Sequence, residues 1–368
     1  MRIAIVTAWY PSKKNPLYGV FIQNQVQALS EHCETFVLLL TWSLIPFVKE
    51  RKEGKVTIIE KGDFYFPNAS EQMLNFWASR YVRFFKRIHA KHHFDLVHCH
   101  DHYGAFVGNK ITGEILLPYI CTMHNSNIMT NQLVDWKKAY IPRILKNAGS
   151  IVAVGTKLAQ TLRSVYRIEN VKVIPNFIDT NRFCPRKTDS CSDFRFLFIG
   201  GLESHKGILE LVTAFHHSKI KDASLHIVGS GILDNKLKEY INRFDLHENV
   251  LLYGDVPNER LPEIYNSADV LVSVSEYETF GVAILEAMSC GLPVLCTSSG
   301  GPEDFVADFT GILIDERTIK SISDGLIKIK ATYDQFDPEK IRQYVIDNFG
   351  AQKVIGLLLE EYKSLLDA

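Results

Sequence analysis

The sequence predicts a doubly wound α/β protein of two domains. Short apolar runs alternate with segments of helical spacing almost from end to end, most of the runs are continuous in Val, Ile and Leu, and the alternation pauses once. A continuous apolar run marks a strand covered on both faces, as in a parallel sheet. Strand, helix, strand in repetition builds βαβ units. The pause, IDTNRFCPRKTDSCSD over 178–193, is polar and carries a proline. It separates a first domain over 1–180 from a second over 190–350.

In the first domain strands are expected at Arg2–Thr7, Thr35–Thr41, Asp95–Cys99, Tyr119–Met123 and Ser150–Val154, with a helix at Val20–Ser30. Residues 42–75 resist assignment beyond one strand, Lys55–Ile59. Phe76–Phe94 follows with a helical stripe of Trp77, Tyr81, Phe84, Phe85 and Ile88, flanked by Arg80, Arg83, Lys86, Arg87 and Lys91. It reads either as an ordinary helix on the first sheet or as a basic amphipathic helix in a membrane interface. In the second domain strands are expected at Phe194–Ile199, Ser224–Val228, Asn249–Tyr253, Val270–Val274 and Pro293–Cys296. Helices are expected at Gly207–His217, Leu233–Phe244 and Gly281–Ser289, and Ala351–Leu366 closes the chain as a final helix.

Of the 368 residues, 46% are hydrophobic and 23% charged, as in soluble globular proteins. No apolar run approaches the roughly 20 residues that span a bilayer. The opening MRIAIVTAWY enters a strand pattern directly, so no signal peptide is expected. Seven cysteines without a CxxC pair read as buried hydrophobes in a reducing cytosol, and exclude a disulfide scaffold. The net charge of −1 conceals an asymmetry. Residues 1–185 hold 23 basic and 13 acidic side chains, net +10; the remaining 18 and 29 give −11. A phosphate-bearing lipid or membrane surface near the basic half explains this, as does mutual neutralisation of the halves.

The sharpest motif is Glu276-Tyr-Glu-Thr-Phe-Gly-Val-Ala-Ile-Leu-Glu286. A strand ends before it, Thr279, Phe280 and Gly281 turn the chain, and a helix begins. Unpaired N–H groups and the helix dipole make such a start a phosphate site. Glu278 then lies at the carboxyl end of a strand, where open α/β sheets bind ligands. Glu286 follows about one and a half turns into the helix. Two carboxylates can each grip sugar hydroxyls; the plainer alternative is a solvated acidic turn followed by a surface glutamate.

These residues resemble the retaining glycosyltransferases of family 4, which have the GT-B fold of two Rossmann-like domains with parallel sheets facing a central cleft. The family carries Glu, seven residues, Glu, with Phe-Gly after the first: Glu278, Phe280, Gly281 and Glu286 match. So do Glu286-Ala-Met-Ser-Cys-Gly-Leu-Pro-Val and Gly300-Gly301-Pro302-Glu303. The resemblance implies that Glu278 contacts the donor sugar and that Glu286 holds ribose hydroxyls. Amides near Phe280, Gly281 and Val282 would meet the sugar or the diphosphate.

Other segments extend the likeness. In Phe198-Ile-Gly-Gly-Leu-Glu-Ser-His-Lys206-Gly207, Lys206 matches the lysine that neutralises a leaving diphosphate, but Gly201 stands where the family usually has arginine. Trp9-Tyr-Pro, then Leu17-Tyr-Gly19-Val-Phe, matches a loop over the donor phosphate; the family often has two glycines there and this chain has Gly19 alone. His124, in Cys121-Thr-Met-His-Asn125, matches a histidine near the donor sugar, and is otherwise a capping or core histidine. By the same resemblance Gly229 and the Gly254-Asp-Val256-Pro turn would lie near the nucleoside. His98, His100 and His102 alternate around Asp101, a pattern that suits a metal on one face of an extended chain and also matches the family's His-x-His segment. No Asp-x-Asp motif is present, and the resemblance implies a metal-independent enzyme without a cofactor.

The resulting expectation has Lys206, Glu278 and His124 as catalytic residues. Gly19, Gly201, Phe280, Gly281, Val282, Glu286, Gly229 and Val256 would bind the donor. The donor would be a UDP- or GDP-sugar and the acceptor a saccharide, lipid-linked, in bacterial lipopolysaccharide or capsule assembly. The protein would be cytoplasmic and peripheral at the inner face of an anionic membrane, with no nucleic-acid partner. The first domain would bind the acceptor, the second the nucleotide-sugar, and the last helix, over 351–368, would pack on the first domain. The rivals are another GT-B enzyme, an epimerase or a disaccharide phosphorylase, and a non-catalytic partner protein that Gly201 alone supports.

Overall fold

In the computed structural model, which describes residues 1–12, 15, 18–64, 70–186 and 193–367, the chain forms two compact units. They are Met1–Phe177 with Gln352–Ala368, and Ile178–Ala351. Leu17 and Cys191 lie outside the described residues, as does most of the second half of the polar pause. Among the described residues, no helix is long and apolar enough to cross a membrane.

The first unit holds β1 (Arg2–Thr7), β2 (Glu34–Trp42), β3 (Phe47–Glu53), β4 (Val56–Asp63), β5 (Leu96–His100), β6 (Tyr119–Met123), β7 (Ser150–Ala153) and β8 (Val171–Val173). Their order in the sheet is β3-β4-β2-β1-β5-β6-β7-β8. β1 pairs in parallel with β2 (Ile3 against Thr35) and with β5 (Ile3 against Leu96). β3 alone of the described strands runs antiparallel, to β4. It is the strand that the sequence conceals. FVKERKE is mostly exposed and charged, because it is an edge strand and has one face to bury at most. The core sets Ile3, Ile5, Val37, Ile58, Leu96 and Val152 of the sheet against Ile22, Val26 and Leu29 of the helix Val20–Leu29. The final helix, Ala351–Leu366, adds Val354, Ile355, Leu358 and Tyr362 to the same core.

The basic segment is a helix over Glu71–His92, capped by Ser70, whose side chain accepts from the Met73 N–H. Leu74, Trp77, Ala78, Tyr81, Val82 and Phe85 are buried. The expected stripe is therefore shifted: Phe84 and Ile88 are only partly covered, while Leu74 and Val82 share the buried face. Arg83, Lys86, Arg87 and Lys91 are exposed.

The second unit holds β9 (Phe194–Ile199), β10 (Ala223–Val228), β11 (Val250–Gly254), β12 (Val270–Ser273), β13 (Val294–Thr297) and β14 (Gly311–Ile314). All are parallel, in the order β11-β10-β9-β12-β13-β14. Phe196, Leu225, Val270, Val272 and Leu295 meet Ile208, Leu211, Ile322 and Leu326 of the covering helices. This unit begins earlier than the polar pause suggests. Residues 178–186 look like a linker because their side chains are polar, yet their backbone is tied down within the unit. Ile178 N–H donates to Phe349 O, Arg342 donates to the carbonyls of Thr180 and Phe183, and the Phe183 ring is 1% exposed.

Candidate active site

Strand order reverses between β1 and β5 in the first unit and between β9 and β12 in the second. At such a reversal the connections leave to opposite faces and open a crevice beyond the strand ends, where α/β sheets bind ligands. Gly19 follows β1 at the first reversal, and Gly201, Lys206 and Glu278 follow β9 and β12 at the second; His124, Gly229 and Val256 follow the neighbouring strands β6, β10 and β11.

In the second unit, Lys206 comes from the loop after β9 and Glu278 from the loop after β12. Lys206 Nζ lies 2.7 Å from Glu278 Oε2, with the side chains 26% and 20% exposed. Lys206 closes a short 3₁₀ turn, Ser204–Lys206, just ahead of the helix Ile208–Ser218. The two loops are joined by a further contact that the sequence does not announce. The His205 ring stacks on Tyr277 at 4.7 Å with a 3° interplanar angle, and Glu276 N–H donates to His205 O. Arg317, also unforeseen, donates to Val274 O from Nε and pairs with Glu210 at 2.9 Å, which fixes the base of the same loop.

Beyond Glu278 the chain is pinned to the Gly300 segment: Glu278 N–H donates to Ser299 O, and Gly301 N–H to Glu278 O. The Glu303 carboxylate accepts from the Gly300 N–H. Phe280 is buried beside Phe305. Gly281 caps the helix Val282–Ser289 with φ +100°, a conformation that a side chain resists, and no side chain caps this helix end. The first-turn N–H groups of Val282 and Ala283 have no helical carbonyl behind them and are open to an anion.

Glu286, partly buried in the first turns, accepts from Tyr265 OH at 2.8 Å. Burial pushes its carboxyl up to about 7, against the opposing effects of the Tyr265 bond and the Arg182 charge. The remaining donor candidates lie on the loops after β9, β10 and β11. Gly201 is exposed in the loop after β9. Gly229 packs against Gly200 so closely that a Cβ there would stand 2.0 Å from Gly200 O. Val256 is partly buried in the loop after β11, two residues past Gly254, whose carbonyl accepts from Gly229 N–H.

In the first unit, Gly19 is buried at the start of the helix Val20–Leu29, again without a side-chain cap. His124, at the end of β6, is 6% exposed and lies beside the Phe21 ring at 4.8 Å. Its Nε2 lies 3.0 Å from His100 Nδ1. Asp101 opens the next helix at φ +58°, with Oδ2 shared by His102 Nδ1 at 2.8 Å and Asn125 Nδ2 at 3.1 Å. His98 cannot join a metal set, since its two nitrogens are engaged by Tyr362 OH at 2.6 Å and Thr122 Oγ1 at 2.7 Å. Burial drives the titration of these rings down, His98 to about 3, His124 to about 4 and His100 well below the usual value, so all three are neutral at physiological pH. Asp101 stays ionised: burial opposes it, but the His102 charge and the bonds from His102 and Asn125 outweigh that.

Two family models match adjoining stretches of the chain: Glycosyltransferase Family 4 over residues 19–182 and Glycosyl transferases group 1 over 186–347. An uncharacterised glycosyltransferase of Methanocaldococcus jannaschii is 29% identical over 278 residues, 69% of each protein. Among solved structures, sucrose-phosphate synthase from Thermosynechococcus elongatus superposes with a TM-score of 0.83 at 20% identity, over 100% of this chain and 99% of that one. HepE of Anabaena, solved with UDP and glucose, gives 0.79 at 16% identity over 99% and 100%.

Proposed function

Because the chain belongs to the family 4 glycosyltransferases and has their GT-B fold, we propose that it transfers a sugar, with retention, from a UDP- or GDP-sugar to a saccharide acceptor. The observation that carries the donor assignment is the Lys206–Glu278 pair at the β9/β12 reversal, next to the open helix start at Gly281. Lys206 and the Val282 and Ala283 amides neutralise the diphosphate as it leaves, which is charge stabilisation without a metal. Glu278, relieved of Lys206, accepts from donor-sugar hydroxyls, and Glu286 from the ribose diol. The acceptor oxygen attacks the anomeric carbon on the face from which the diphosphate departs. The bond from that carbon to the diphosphate oxygen breaks, and the acceptor proton passes to the leaving phosphate. His124 would contact the sugar. UDP in the HepE structure supports a uridine or similar donor.

The proposal extends to a lipid-linked acceptor of cell-surface polysaccharide assembly at the inner face of a membrane. Supporting it are the exposed Arg83, Arg87 and Lys91 and a pocket of about 550 Å³ lined by Phe64, Met73, Phe76 and Trp77 at the start of the same helix.

Thermal melting with a panel of nucleotides and nucleotide-sugars tests the donor site. A donor at 100 times its Kd raises stability by about 2.7 kcal/mol. One donor class is expected to stabilise the wild type, with the shift lost in Glu286→Ala. A panel in which nothing shifts the wild type would overturn the donor site.

A further inference from the structure

His100 and His124, at the ends of β5 and β6, are 2% and 6% exposed. Their rings lie 19° from parallel with centroids 5.3 Å apart, joined by the 3.0 Å approach of His100 Nδ1 to His124 Nε2. A neutral imidazole has one N–H and one bare nitrogen. If His100 Nδ1 donates, His124 carries its own proton on Nδ1, and His100 Nε2 is bare. If His124 Nε2 donates, the roles of the outer nitrogens reverse. His100 Nε2 and His124 Nδ1 are both buried, and no group among the described residues pairs with either. The pair therefore always presents one unused donor and one unused acceptor, and the two are set together. A sugar hydroxyl, which donates and accepts, suits either state.

The surroundings hold the pair in place. The His98 ring lies at 4.4 Å from His100 and is itself fastened at both nitrogens by Tyr362 and Thr122. Phe21 flanks His124 at 4.8 Å, and neighbouring Asn125 is held by Asp101. Among the described residues, His100 alone hydrogen-bonds the His124 ring.

We propose that His100 is a positioning residue for sugar transfer: it fixes the ring plane in which His124 Nδ1 meets a substrate hydroxyl and couples the tautomer of His124 to its own. This rests on His124 facing substrate. The test uses the full chain with ¹⁵N-labelled histidine and tautomer-sensitive nitrogen shifts, beside transfer kinetics. His100→Phe keeps the ring volume and removes Nδ1. It is expected to uncouple the His124 tautomer from its neighbour, which shifts the His124 nitrogen resonances, and to lower kcat by about ten- to a hundredfold, as small misplacements do. The donor-induced melting shift is expected to stay unchanged. Adding His124→Phe to that variant should cost little more, because the two rings act as one unit. His100→Asn, whose amide reaches the place of Nδ1, should recover most of the rate, and His100→Gln, whose amide reaches the place of Nε2, should not. If His100→Phe does not fold, the Asn and Gln variants decide the matter. An unchanged His124 nitrogen spectrum, losses that multiply in the double variant, or equal rates for Asn and Gln would overturn the proposal. If the wild type transfers no sugar, the transferase reading fails instead, and the nitrogen shifts still judge the pairing.

Discussion

At the reversal of strand order in the second unit, Lys206 and Glu278 face each other with a fifth to a quarter of each side chain in water; at the same place in the first unit, His98, His100, Asp101 and His124 are all but dry. The ion pair, partly open to water, is the more easily exchanged of the two arrangements. Water screens it, and holding two long side chains offsets most of the attraction. Lys206 can therefore leave Glu278 for a diphosphate at little cost. The dry histidines are the reverse: neutral, mutually bonded and fixed. One site is built to exchange partners, the other to hold direction.

The two also respond to acid with opposite sign. The histidines titrate below their unfolded value of about 6.5, so the stability of their neutral burial is present above that pH and is lost as pH falls toward 4. Glu286 titrates above its unfolded value. Its contribution is present below about 4.5 and is lost as pH rises to about 7.

The largest effect expected is on Lys206. Lys206→Met should lower kcat/KM by about 10²–10³-fold, the loss typical of removing a charge-stabilising donor. Stability should change by no more than about 1 kcal/mol, because the pair it breaks is partly solvated. Nucleoside diphosphate release and a melting curve on the same sample check both. A tenfold or smaller loss of activity would remove Lys206 from the catalytic group. An intermediate effect is expected from pH. A ribose diol donates to an ionised Glu286, so nucleotide affinity should rise by up to about tenfold from pH 6 to pH 8, the limit for one proton with a group near 7. Calorimetric titration of wild type and Glu286→Gln is the check: the variant should bind weakly and show no dependence. A wild type that binds best at pH 6 would mean that the protonated carboxyl is the binding form.

The second site was the more readable in the sequence, for a physical reason. Phosphate-binding turns need a strand end, glycine and a helix start in one short stretch, and Val270 to Glu286 supplies all of it in seventeen residues. Buried parallel strands were readable likewise, since both faces demand apolar side chains. Contacts between distant segments were not. The His205–Tyr277 stack and the Arg317 anchor join loops 72 and 43 residues or more apart, with no local pattern to mark them. In the sequence His100 is only one of an alternating set. Its partner, His124, lies on another strand, and which histidine is fastened and which is half-free depends on Tyr362 at the far end of the chain. The edge strand β3 was hidden by its charge.

Gly201 is a departure from the family pattern that the geometry can examine, and it carries the smallest effect. A Cβ built there would meet nothing nearer than Glu203 Oε1 at 3.8 Å, the residue is exposed, and its φ is not positive. Nothing in the backbone therefore demands glycine. Gly201→Arg should fold with stability within about 0.5 kcal/mol of wild type. Its guanidinium, on the loop that holds Lys206, would add a charge facing the diphosphate. At a partly solvated site one such charge is worth about 0.2–1 kcal/mol, so the donor KM should fall by about 1.4- to fivefold, less at high salt. Steady-state kinetics at low and high salt separate this from packing. A KM that rises would show that the open space at Gly201 is used by the donor itself, and that glycine there is a feature of this enzyme's substrate, not a lost charge.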